Sequence, residues 1–76
     1  MVIQMKHKKI SYKRLWIFLI DKEISQIDMR KKLNIATGTM TKLRRNEEVA
    51  LSVLIRICEY LDCNLSDICE IIDDEE

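Results

Sequence analysis

Apolar residues in this chain recur at three- and four-residue spacing in five successive stretches, separated by short polar breaks, which predicts helices. Ser11 is read as the opening of the first stretch, where Leu15 and Leu19 share one face with Tyr12 and Trp16 alongside. Trp16, Ile17, Phe18 and Ile20 make that helix apolar nearly all round. A second buried surface is therefore expected, against the N-terminal extension or another subunit. Ser25 followed by Asp28 has the spacing of a capping box and opens the second helix, and Ile24 is placed to staple against Met29. Its apolar positions are Ile27, Met29 and Leu33. Arg30, Lys31 and Lys32 sit in and near its last turn, where cations complement the helix dipole.

A steep bend is expected at Leu33-Asn34-Ile35-Ala36, with Asn34 taking the positive φ that ends one helix and lets the next start at an angle. Asn46 and Asp62 follow later apolar segments and are read as the same device. The third helix runs from Thr37 to Arg45, with Met40 and Leu43 inward and Thr37, Gly38, Thr41 and Lys42 outward. Ala36 and Ala50 occupy cap positions without a side-chain oxygen, worth about 1 kcal/mol each, unless Thr37 or Ser52 takes over the cap. Leu54, Ile57, Cys58 and Leu61 mark a fourth helix. Asn64 caps a fifth, whose stripe is Leu65, Ile68, Cys69 and Ile72. The expected architecture is all-α: one five-helix domain over residues 10–72, a basic extension over 1–9 and a frayed acidic tail over 73–76. Val2, Ile3 and Met5 are read as a short strand or as packing on the body, with a solvated terminus as the alternative; Lys6, Lys8 and Lys9 are placed to reach a phosphate backbone.

Composition supports helices, since the chain has no proline and one glycine. Seventy-six residues make one small domain, burying about 60% of the unfolded chain's surface. The apolar run from Leu15 to Ile20 falls far short of the roughly 20 residues a membrane span needs, and no signal-peptide pattern is present. A cytoplasmic location and no membrane partner are expected.

Charge changes the picture. The chain is neutral as a whole, but residues 1–45 hold twelve Lys and Arg against three acids, and residues 46–76 hold one Arg against ten acids. The basic half, at net +9, is the half with the two-helix signature, as steering toward phosphate requires. Cys58, Cys63 and Cys69 are odd in number and form no C-x-x-C pair, and His7 lies far from them, so neither a metal site nor a cofactor is expected. Reduced thiols that pack as small apolar groups are the simpler reading. No nucleophile motif, phosphate-cradling glycine loop or clustered cleft acids point to an enzyme.

Two short helices joined by a tight bend, the second presenting small polar and basic side chains, form the geometry that sets a helix into the DNA major groove. The ordered set S-Q-x-D-M-x-x-x-L-N-I-A-x-G-T-M-T-K-L-R-R-N, followed by V-L-I-R-I-C-E-Y-L-D-C, resembles the Cro/CI-type, phage-repressor-like helix-turn-helix family, in particular its small stand-alone members. The resemblance spans Ile10 to Ile72 and implies a five-helix lambda-repressor-like domain. It also implies that Gln26 binds phosphate and orients the recognition helix, that Thr37 and Gly38 meet base edges, and that Thr41 and Lys42 hold the next groove-facing positions. The chemistry is compatible: Lys42 can donate to guanine O6 or N7, threonine can bond an edge or pack its methyl on thymine, and Gly38 admits close backbone approach. Arg44, Arg45 and Arg14 suit phosphate contacts. The implied function is a sequence-specific transcriptional regulator, a repressor, acting as a homodimer on double-stranded DNA with no small-molecule ligand. Ile71, Ile72 and Phe18 are candidate dimer contacts. A protein-interaction module, antitoxin or adaptor on the same fold is the alternative.

Overall fold

The computed structural model describes residues 7–74. Strand β1 (Lys8–Ser11) leads into helices α1 (Lys13–Asp21), α2 (Gln26–Leu33), α3 (Thr37–Arg44) and α4 (Leu51–Leu61). One 3-10 turn (Leu65–Asp67) and strand β2 (Glu70–Asp73) follow. Val2, Ile3, Met5 and Lys6 lie outside the described residues.

Four helices and a two-stranded sheet replace the expected five helices. The fifth apolar stripe makes only the 3-10 turn, in which Asn64 N–H donates to Asp67 Oδ2 at 2.9 Å. Beyond it the chain extends, and β2 pairs antiparallel with β1 in the register Lys8↔Asp73, Lys9↔Ile72, Ile10↔Ile71 and Ser11↔Glu70. Adjacent β-branched residues at Ile71 and Ile72 suit a strand, and the ladder supplies partners that a lone terminal helix would lack. Ser11 accordingly ends β1 instead of opening α1, whose cap is Tyr12. The acidic terminus is not frayed at its start, because Asp73 pairs with Lys8 and Asp74 N–H donates to the His7 carbonyl at 2.9 Å. The sheet thus crosses both expected boundaries, at 9/10 and at 72/73.

Each helix ends through one residue of left-handed backbone: Glu23, Asn34, Asn46 and Asp62, with φ between 52° and 58°. The closing bonds recur. Ile24 N–H reaches Leu19 O at 2.9 Å, Ile35 N–H reaches Arg30 O at 2.9 Å, Glu47 N–H reaches Lys42 O at 2.9 Å and Cys63 N–H reaches Cys58 O at 3.0 Å. This satisfies carbonyls that a helix end otherwise leaves without partners. Three of the four positions follow from Asx chemistry; Glu23 does not, since glutamate has no special tolerance of that backbone.

The core joins Tyr12, Leu15 and Leu19 to Met29, Ile35, Met40 and Leu43, and closes with Leu54, Ile57, Leu61, Ile68 and Cys69. Of the three apolar positions of α2, Met29 is buried and Leu33 half-buried, whereas Ile27 is 59% exposed. Leu65, read as part of a helical stripe, is also exposed, and Cys58 is half-buried. Among the described residues, no helix is long and apolar enough to cross a membrane, and no group of three or more His, Cys, Asp or Glu could hold a metal ion.

Candidate nucleic-acid interface

Ser25 begins the site. Its Oγ accepts from Asp28 N–H at 3.0 Å, which fixes the first turn of α2 and places Gln26 at the helix start. Asn34, at φ 54° and ψ 46°, then turns the chain within three residues into α3. Ala36 caps α3 and Ala50 caps α4, neither with a side-chain bond, so the helices begin at Thr37 and Leu51 without help from Thr37 or Ser52. Ile35, Met40 and Leu43 anchor the inner side of α3 in the core. Anchoring that side leaves Thr37, Gly38, Thr41 and Lys42 exposed together on the other.

Three hydrogen bonds tie α3 and the residues that end it to the rest of the domain. Arg44 Nε donates to Gln26 Oε1 at 3.0 Å, so the last turn of α3 is tied to the first turn of α2. On the far side of α3, Tyr12 N–H donates to Asn46 Oδ1 at 3.0 Å and the Tyr12 hydroxyl donates to the Glu47 carbonyl at 2.9 Å. The Tyr12 ring is fully buried, and burial pushes its phenol pKa up, keeping it a neutral donor. The sequence marks Asn46 as a helix terminator but not as an acceptor, and sets Tyr12 only beside the apolar face of α1. The signal for a clamp was there only in the tyrosine's polar tip.

Electrostatics favour an anion on this side. From Gln26 to Arg45 there are six cations (Arg30, Lys31, Lys32, Lys42, Arg44 and Arg45) and a single acid, Asp28. Arg45 pairs loosely with Glu47 at 3.6 Å, an exposed contact of little energetic weight. Elsewhere the charge halves meet each other: Lys8 with Asp73, Lys9 with Asp74 at 3.7 Å, and Arg14 Nε with Glu70 at 3.1 Å. Lys8 and Lys9, expected to reach phosphate, are therefore engaged across the sheet. Arg14 is turned toward the C-terminal segment, where Nη1 also donates to the Ser66 carbonyl at 3.1 Å, and it does not join Gln26 and Arg44. Among the described residues, five Lys and Arg without an acidic partner lie on α2 and α3 (Arg30, Lys31, Lys32, Lys42 and Arg44), against three elsewhere, Lys13, Lys22 and Arg56.

The three thiols are free. Burial and the neighbouring Cys58 push the Cys63 thiol up to about 11, and burial raises Cys69 as well, so neither is a ready nucleophile at neutral pH.

Two short helices at a bend, the second exposed along a basic face, define a helix-turn-helix domain. The chain belongs to the Cro/C1-type HTH DNA-binding domain family, whose model matches residues 14–74. Among solved structures it is similar to the transcriptional regulator VanUg (crystal form II), with 35% identity and a TM-score of 0.89 over 97% of this chain and 99% of that one. No curated protein matches.

Proposed function

We propose that this protein is a sequence-specific DNA-binding transcriptional regulator that lays α3 in the major groove and represses by occupying its operator. The observation that carries the reading is the exposed face of Thr37, Gly38, Thr41 and Lys42, in a two-helix segment, Gln26 to Arg45, that holds six cations and one acid. Family membership and the likeness to a transcriptional regulator support it. Lys42 donates to a guanine edge, and Thr37, Gly38 and Thr41 meet neighbouring bases. Gln26, Arg44 and Arg45 hold phosphates, Gln26 and Arg44 acting as one bonded unit. Arg14 is left out of this set, because Glu70 and Ser66 already satisfy it.

The regulator works as a homodimer, since one domain this small reads few bases and a second copy adds avidity at a half-site one helical turn away. Ile71 is the strongest of the three candidate contacts at 65% exposed; Phe18 and Ile72 are half-buried. Leu51, Leu65 and Ile71 line one open apolar groove with Ile10. Glu59 and Asp62, beside Leu51 and Leu65, would repel DNA from that surface and leave it to protein.

Selection of bound sequences from a random duplex pool tests the reading. A palindrome with half-sites about one helical turn apart is expected, with affinity that falls steeply as salt rises. Recovery of no preferred sequence, with salt-insensitive capture of a protein partner, would favour the interaction-module alternative.

A further inference from the structure

Gly38 is the only glycine of the chain, and nothing in the fold requires it. Among the described residues four positions take left-handed backbone, and Glu23, Asn34, Asn46 and Asp62 fill them. Gly38 is instead an ordinary helical residue of α3 without positive φ. A Cβ built on it would meet no atom within 4 Å. Helices disfavour glycine, so the domain alone would be better served by alanine.

One turn along the same face stands Thr41, whose Oγ1 donates to the Thr37 carbonyl at 3.1 Å. Its hydroxyl proton is therefore already placed on the helix backbone, and Thr41 keeps its methyl group and the acceptor side of its oxygen for a partner, with no proton to donate to a base acceptor. Gly38, with no side chain, and Thr41 are both exposed and lie one turn apart on α3, with Lys42, also exposed, at the fourth residue from Gly38.

We propose that Gly38 and Thr41 form a notch on α3 that receives the 5-methyl group of a thymine. The inference rests on the major-groove reading above and deepens it by naming a base and the group recognised. Thymine is the one base that presents a methyl group in that groove, and threonine methyl groups suit contact with it.

The test uses the full chain and the operator selected from the random pool. Each thymine is replaced in turn by deoxyuridine, which removes only the methyl group. One thymine per half-site should be sensitive, losing about fourfold in affinity, the value of a single buried methyl-sized group. Gly38→Ala should melt at or above the parent chain, by about 2–6 °C, because alanine suits the helix better. The same variant should bind the thymine operator about tenfold more weakly and recover part of that loss on the deoxyuridine operator, where its Cβ no longer meets a methyl group. If the parent chain binds a specific sequence but Gly38→Ala binds it equally well, or no deoxyuridine matters, the notch is overturned while the DNA reading stands. A chain that selects no sequence overturns both.

Discussion

The backbone N–H of Tyr12 donates to Asn46 Oδ1 at 3.0 Å, joining the cap of α1 to the residue that ends α3. The Tyr12 hydroxyl adds a second bond one residue on, to the Glu47 carbonyl. One buried residue, through its backbone N–H and its hydroxyl, thereby fixes where the C-terminal end of α3 lies, while Gln26 holds Arg44 from the other element of the motif. In the proposed reading α3 must hold a fixed angle to the groove, and these bonds tie both of its flanks to the rest of the domain.

Removing either half of the clamp should destabilise the domain. Tyr12→Phe is expected to lose about 1 kcal/mol, the usual net worth of one internal hydrogen bond, which lowers Tm by about 4–8 °C in a domain this size. Asn46→Gly keeps the left-handed backbone but leaves the Tyr12 N–H without its acceptor, and Asn46→Ala loses both. Urea titration should order them parent, Gly, Ala. A glycine variant as stable as the parent would show that the side-chain bond contributes nothing.

Glu23 offers the opposite case. At φ 58° an exposed glutamate holds a backbone conformation that side chains resist, and no described hydrogen bond or ion pair engages its carboxylate. Glu23→Gly or Glu23→Asn should raise stability by about 0.5–1 kcal/mol, read as a higher urea midpoint at unchanged slope.

The proposed contacts divide into two groups with different signatures. Lys42→Ala should relax preference at one base position by about 1–3 kcal/mol, as seen in binding to a panel of single-base variants. Gln26→Ala and Arg44→Ala should instead weaken binding to all sequences alike; loss of Arg44 should also make the dependence on salt shallower. Unchanged discrimination in the Lys42 variant would move base reading to other residues.

Alkaline pH should destabilise the protein. The Cys63 thiol sits at about 11 when folded, against about 9 when unfolded, and is held neutral chiefly by burial. In this interval the unfolded chain has released a proton that the folded chain keeps, so stability falls as pH rises. The contribution is complete below pH 9 and disappears progressively up to about 11; Tyr12, also raised, adds to the loss above 10. Urea midpoints measured from pH 8 to 10.5 should decline, and less so in Cys63→Ala. Equal slopes in the two proteins would exclude the thiol as a cause.

Local chemistry is what made most of this domain readable from its residues. Ser25 as cap, Asn34, Asn46 and Asp62 as left-handed terminators, and the inward set Ile35, Met40 and Leu43 each depend on neighbours within one or two turns. The exposed quartet on α3 followed from the same periodicity, because anchoring one side of a short helix leaves the other free. The strand β2, the β1 it pairs with, and the neutralisation of Lys8, Lys9 and Arg14 by acids at the other end of the chain were not readable in that way. The stripe at Leu65, Ile68, Cys69 and Ile72 has helical spacing, and nothing adjacent reveals that a strand some sixty residues away will pair there. Periodicity encodes what a segment prefers alone, whereas ladders, clamps and ion pairs belong to chain segments that meet only when the domain closes.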